Sequence, residues 1–196
     1  MSKQTEDFYA CFSFFYPLVD IFLRPQKRVL FREINKLPTG KLLDVGVGNG
    51  SYLSSYEVHE VTGIDTSVTM LKIAGKKNCR NVELLHMNGE SLYFRDGTFD
   101  YIVLSHVIAV VDKPDKLLEE IFRVLKPDGK VFILNHFTPR NWLSNIDRYF
   151  QFVSRAFHFR SLFHIESLEA IKKFRLLKEF GFGPVSYFKL LIYTKP

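Results

Sequence analysis

Short apolar runs and helix-like stretches alternate along this chain, and that alternation limits the available folds more than any other feature. KLLDVGV (41–47), EVTGID (60–65), NVELLHMN (81–88), FDYIVLSHV (99–107) and KVFILNHF (130–137) are predicted as buried strands. SVTMLKIAGKK (67–77) and PDKLLEEIFRVLK (114–126) are predicted helices. In the second, Leu117, Leu118, Ile121, Phe122 and Leu125 form one apolar stripe. KPDG at 126–129 supplies the helix stop and the turn. Such alternation implies an α/β fold, a doubly wound and mostly parallel sheet, here of six or seven strands. Ligands of these sheets sit at the carboxyl ends of the strands, near the point where strand order reverses.

Further elements flank this core. PQKRVLFREINKL (25–37) reads as a helix starting at Pro25, with Leu30, Ile34 and Leu37 on one face. In WLSNIDRYFQFVSRAF (142–157) the apolar residues follow the 3.6 period, and SLEAIKKFRLLKEF (167–180) reads as another helix. PVSYFKLLIYTKP then supplies one or two final strands. With 196 residues, 46% of them hydrophobic, residues 1–196 are expected to form one domain. Residues 1–38 are its helical cap and membrane-contact segment, and 139–165 an amphipathic helical insertion; both are expected to cap the site.

Several classes are disfavoured. No apolar run reaches the roughly 18 residues of a spanning helix, and the N-terminus lacks the layout of a secretory signal. Cys11 and Cys79 have neither disulfide nor metal-ligand spacing, so a reducing cytosol and no metal are expected. The charge of +6 is uneven: +2 over residues 1–40, −2 over 41–139 and +6 over 140–196. The basic ends are also aromatic, with Phe8, Tyr9, Phe12, Phe14, Phe15 and Tyr16 in one and Trp142, Tyr149, Phe150, Phe152, Phe157, Phe159 and Phe163 in the other. Two readings fit: flanking helices that pack by aromatics and stay soluble by charge, or a face that meets an anionic surface.

The first strand runs into D-V-G-V-G-N-G, three alternate glycines (Gly46, Gly48, Gly50) behind Asp44. A dinucleotide-binding turn reads G-x-G-x-x-G and holds a pyrophosphate, whereas G-x-G-x-G behind an acid would repel a phosphate and suits a cation. No Gly-Lys-Ser/Thr follows, which excludes a P-loop. S-adenosylmethionine (SAM) carries an ammonium, a sulfonium and no phosphate. Asp65 ends the second strand, where a carboxylate can accept from both ribose hydroxyls. Asn88 ends the third, where an amide oxygen can meet an adenine amino group.

With these features the chain resembles the class I SAM-dependent methyltransferases in LLDVGVGNG, VTGIDTSVTML, HMNGESLYFRDGTFDYIVLSHV and LLEEIFRVLKPDGKVFILNHF. The resemblance implies a Rossmann-like fold, SAM as cofactor and S-adenosylhomocysteine as product. It also implies a cofactor site of Asp44, Gly46, Gly48, Gly50, Asp65, Thr66, Met70, Asn88, Gly89, Glu90 and Ser105. The family usually has an acid where Asn88 stands; asparagine keeps the acceptor and loses the charge. The Asn/Asp-Pro-Pro-Tyr turn of DNA amino-methylating enzymes is replaced by LSHVIAVV, and no tyrosine has a lysine four residues on, as short-chain dehydrogenases need.

A narrower similarity, to bacterial phosphatidylethanolamine N-methyltransferases, lies in YACFSFFY (9–16), INKLPTGKLLDVGVGNGSYLSSY, SHVIAVVDKPDKLL, ILNHF and DRYFQFVSRAFHFRSLF (147–163). Ubiquinone and menaquinone C-methyltransferases share much of the layout. It implies N-methylation of an aminophospholipid at the cytoplasmic face of a membrane, with peripheral contact to anionic lipid and no nucleic acid. Alternatives are a quinone precursor or other small amphiphile as acceptor, or a SAM-binding module without catalysis. Methyl transfer needs an unprotonated acceptor placed in line with the sulfonium. His106 and His136, ending strands four and five, are the candidates beside that point; Tyr9 and Tyr16 would close over it and hold a methylated ammonium by cation–π contact. Arg148 is the candidate for the lipid phosphate, and His158 and His164 read as structural.

Overall fold

A computed structural model describes residues 16–136, 165–182 and 188–196, with side chains from residue 24 onward in the first helix. Tyr9, Arg148, His158, His164 and the expected helix at 142–157 lie outside the described residues, as does the side chain of Tyr16.

The elements are α1 (Tyr16–Ile34), β1 (Lys41–Val45), β2 (Glu60–Asp65), α2 (Val68–Gly75), β3 (Val82–His86), β4 (Phe99–Ser105), α3 (Pro114–Val124), β5 (Leu125–His136), β6 (Arg175–Phe182) and β7 (Phe188–Thr194). They build a seven-stranded sheet in the order β3-β2-β1-β4-β5-β7-β6. β1 to β5 run parallel, β7 is antiparallel to β5, and β6 to β7. Strand order reverses between β1 and β4, so their carboxyl ends open the crevice expected of a doubly wound sheet.

The period of two along each strand divides the core into two layers. Leu43, Val45, Ile102, Leu104, Ile133 and Leu191 face α3, whose Leu117, Leu118 and Ile121 are fully buried. Leu42, Val103, Phe132, Leu134, Leu190 and Ile192 face the opposite layer, where α1 lays down Leu30 and Ile34.

Three boundaries differ from the sequence reading. The first helix does not start at Pro25 but runs from Tyr16 through it. Proline removes one intrahelical hydrogen bond without stopping a helix that other contacts hold, and Leu30 and Ile34 anchor this one. The second difference is the expected helix at 167–180, of which only 3₁₀ turns at Ile165–Ser167 and Ala170–Lys173 form before β6 begins. Its helical spacing is real in the first half, where Leu168, Ile171 and Phe174 are buried beside α3, and the Ala170 N–H donates to Asp115 Oδ1 at 2.9 Å. Beyond Phe174 the backbone pairs with β7, leaving Leu176 and Leu177 exposed, so tertiary pairing overrides local propensity. Third, KPDG is a bulge inside β5: partners jump from Phe99↔Leu125 to Tyr101↔Lys130, and Asp128 adopts φ 58°.

Glu33 ties α1 to the sheet edge. Its buried carboxylate accepts from Lys36 Nζ at 2.9 Å and from Lys178 Nζ on β6 at 3.1 Å. The Lys36 bond, then Lys178, hold its pKa below the usual glutamate value against the opposing effect of burial. A carboxylate with a depressed folded pKa stabilises above its unfolded pKa and loses that contribution as pH falls. Glu33→Ala is therefore expected to lower stability by about 1 kcal/mol at neutral pH, both lysines being solvent-exposed. In urea titrations the difference from wild type should shrink as pH drops below about 4.

Candidate active site

The chain leaves β1 in a turn where Gly46, Gly48 and Gly50 have φ of 73°, 56° and 68°. That left-handed region strains residues with a Cβ, which is the local reason for alternate glycines. Close packing adds a second reason at Gly46, where a Cβ would lie 2.5 Å from Val107 Cγ2. The Gly46 and Val47 N–H groups both donate to Ile64 O, at 2.8 and 3.0 Å, lashing the turn to β2.

Asp65 stands at the carboxyl end of β2. Its Oδ2 accepts the Gly48 N–H and its Oδ1 the Ser67 N–H, each at 2.8 Å. Ser67 in turn caps α2, its Oγ accepting from Met70 N at 3.3 Å. Each Asp65 oxygen keeps a lone pair beyond its backbone bond, enough for two more donors. Thr66 O accepts from His86 Nε2 at 3.0 Å, and half-buried Met70 sits in the first turn of α2.

Beyond β3, Asn88 is exposed and its Oδ1 accepts the Glu90 N–H at 3.0 Å. Glu90 faces the other way, accepting from the Lys113 N–H at 3.0 Å where α3 starts. Gly89 is buried, and a Cβ there would lie 2.9 Å from Leu117 Cδ1. Gly89 and Glu90 thus brace this loop against α3, while Asn88 remains open to solvent.

Asp44 points from β1 into the α1 side of the sheet, where the Tyr56 hydroxyl donates to its Oδ2 at 2.9 Å. Burial raises its pKa to about 7; the Tyr56 bond and the Lys27 charge oppose that rise, and Asp65 adds to it. Burial, with the Asp44 carboxylate, also pushes the Tyr56 phenol well above its usual value.

At the end of β4, Ser105 Oγ and His106 Nε2 are buried without a hydrogen-bond partner. His106 holds φ 61°, and its N–H donates to Leu134 O at 2.7 Å, so the backbone fixes the side chain's position. A left-handed histidine with an unsatisfied buried nitrogen is strained twice over, a combination that concentrates at functional sites. Burial above all, then the Lys27 charge and His136, draw its pKa down to about 3, so the imidazole is neutral. His136, buried at the end of β5, pairs across the ladder with Phe188 of β7. The Phe188 ring is edge-on to both imidazoles, 6.1 Å from His106 and 6.5 Å from His136 between centroids.

The sheet therefore brings Asp44, the glycines, Asp65, Asn88, Ser105, His106 and His136 to one edge. Lys27, Tyr56 and Phe188 share that edge without having been singled out in the sequence. The two tyrosines of YLSSY, four apart beside the glycine turn, were a usable signal; Lys27 and Phe188 had none, because distant elements deliver them. Among the described residues no group of three or more His, Cys, Asp or Glu could hold a metal, and no helix is long and apolar enough to cross a membrane.

Comparison with known proteins agrees with this layout. The family described as a methyltransferase domain matches residues 43–133. A phosphatidylethanolamine N-methyltransferase of Cereibacter sphaeroides is 31% identical over 163 residues, covering 80% of each chain. A demethylmenaquinone methyltransferase of Listeria welshimeri is 33% identical over 127 residues, and an uncharacterised protein of Methanocaldococcus jannaschii 36% over 97. The chain spans only 54% and 45% of the length of these last two. In fold it matches a structure from Bacillus halodurans with TM-score 0.73 and 18% identity, over 86% of this chain and 98% of that one. It also matches a Haemonchus contortus phosphoethanolamine N-methyltransferase bound to SAM with TM-score 0.72 and 21% identity, over 88% of this chain and 52% of that one. With a seven-stranded sheet of this order and a relative alike over four-fifths of both chains, the protein belongs to the class I SAM-dependent methyltransferases.

Proposed function

We propose that this protein transfers a methyl group from SAM to the amine of an aminophospholipid headgroup, such as phosphatidylethanolamine, at a membrane surface. The observation that carries the acceptor is the 31% identity to a phosphatidylethanolamine N-methyltransferase across 80% of both chains. The basic, aromatic ends add physical support, since each basic residue near an anionic bilayer contributes about 1 kcal/mol.

The residues present suit the cofactor. The glycine turn presents backbone without side chains at Gly46, Gly48 and Gly50, and Asp65 keeps lone pairs for ribose hydroxyls. Asn88 Oδ1 keeps one for the adenine amino group, flanked by Thr66, Met70 and the backbone of Gly89 and Glu90. Asp44 offers charge to an ammonium. Bound there, SAM supplies an electrophilic methyl on a sulfonium.

An ethanolamine ammonium must lose its proton before it can attack. The burial that keeps His106 neutral disfavours any other cation placed beside it, so the same surroundings lower the pKa of an incoming ammonium. At a pKa of about 3, His106 is a poor store for that proton, which passes to solvent water as the amine enters. Its Nε2 instead accepts a hydrogen bond from the amine and, with Ser105 Oγ, aligns the lone pair. His136 and Phe188 wall the space against water. Tyr9 and Tyr16 are assigned to closing the site over a methylated ammonium, and Arg148 to the phosphate.

A quinone precursor is the second reading, favoured by the Listeria relative at 33% identity. Incubating the protein with labelled SAM and vesicles of phosphatidylethanolamine and an anionic lipid should yield methylated lipid. Turnover of a soluble phenolic quinone precursor without lipid methylation would establish the second reading, and SAM binding without turnover of either would defeat both.

Two binding measurements test the pocket by itself. Asp65→Ala should cost about 1–3 kcal/mol of SAM binding in calorimetry, through lost hydroxyl bonds and a loosened turn. SAM affinity should also rise with pH through about 7 as Asp44 deprotonates, because a cation binds its carboxylate form. Asp44→Asn should flatten that dependence.

A further inference from the structure

Lys27 has no part in the reading above, yet it lies against the segment that follows the glycine turn. Its Nζ lies 3.7 Å from the centroid of the Tyr52 ring, two residues beyond Gly50. Phe31, one turn further along α1, stacks on the same ring at 5.7 Å and 16°, and meets Tyr56 edge-on at 5.1 Å. Tyr56 in turn donates to Asp44 at 2.9 Å. One face of α1 therefore rests on the segment that follows the glycine turn. Leu30 and Ile34 are buried on the next face, and Asn35 Nδ2 donates to Ser55 O at 2.8 Å, so the helix cannot swing away freely. The Lys27 charge also acts on both Asp44 at the end of β1 and His106 at the end of β4, the two sides of the crevice.

SAM ends in an amino acid, whose ammonium and carboxylate require charges of opposite sign a few ångströms apart. Asp44 provides one of them. We infer that Lys27, held over Tyr52 by α1, binds the cofactor's carboxylate and completes a paired subsite for its amino-acid end. This rests on the SAM-binding reading and adds a residue that the glycine motif does not contain. The other lysine at the turn, Lys77, reaches Ser51 Oγ at 3.3 Å from the turn after α2, on the exposed side. Half-buried Lys27 is the better placed, because a charge pair there is less screened by water. Its cation–π contact with Tyr52 keeps the long side chain aimed before the cofactor arrives, lowering the entropy lost on binding.

The test is a calorimetric cycle on the full chain with two probes: S-adenosylhomocysteine, and its decarboxylated analogue, which keeps the amine and lacks only the carboxylate. Lys27→Met should weaken the first by about tenfold and change the second by less than about twofold, the scale of one charge-assisted contact. Lys27→Arg should recover most of the loss, and Lys77→Met should leave both affinities unchanged. Equal weakening of both probes by Lys27→Met, or no weakening of either, would overturn the assignment to Lys27 while leaving the pocket in place. Failure of the wild-type chain to bind S-adenosylhomocysteine at all would overturn the pocket and the lysine together.

Discussion

Two backbone N–H groups, those of Gly48 and Ser67, converge on the Asp65 carboxylate at 2.8 Å each. The glycine turn departs from extended geometry at three alternate residues, so its amides find no partners in a strand ladder. Asp65 supplies one of the missing acceptors, and Ile64 O takes two more N–H groups from Gly46 and Val47. The end of β1, the end of β2 and the start of α2 are thereby held together by one aspartate and its neighbour. A neutral or shorter side chain at that position would free the turn, and with it the backbone surface to which a ligand must come close.

The other side of the crevice is organised differently. Ser105 Oγ and His106 Nε2 stay unsatisfied in the interior, a state that costs about 1–3 kcal/mol per buried group. His106 adds a left-handed backbone. The sheet can carry this because the neighbouring core, from Leu104 and Val103 through Ile133 and Leu134, is fully buried. A rigid, destabilised polar end on an apolar strand suits a group that must meet a ligand, since the hydrogen bond it lacks stays available.

Between these two sides lies α1. Its apolar face is anchored on the sheet, its Glu33 reaches across to Lys178 on the edge strand, and its aromatic face covers the residues after the glycine turn. The helix thus ties the segment after the glycine turn to the edge strand β6.

Much of this was legible in the sequence, for a local reason. A strand buried on both faces shows as a short apolar run, a left-handed turn demands glycine, and an acid at a strand end needs only its place in order. These rules act within a few residues, so the parallel core, the glycine spacing, Asp44, Asp65 and the strand-end histidines could all be named from it. Where partners are far apart the sequence was silent or misleading. The stretch 167–180 suggested one helix, but only its first half, with Leu168, Ile171 and Phe174, keeps helical spacing, while the distant strand β7 draws the second half into β6. Pro25 marked a helix start that burial of Leu30 and Ile34 moves nine residues upstream. Lys27 above Tyr52, Tyr56 on Asp44 and Phe188 beside two imidazoles depend on how α1 and β7 lie against the sheet. Backbone preference and periodicity are written residue by residue, whereas these contacts exist only once the layers have closed.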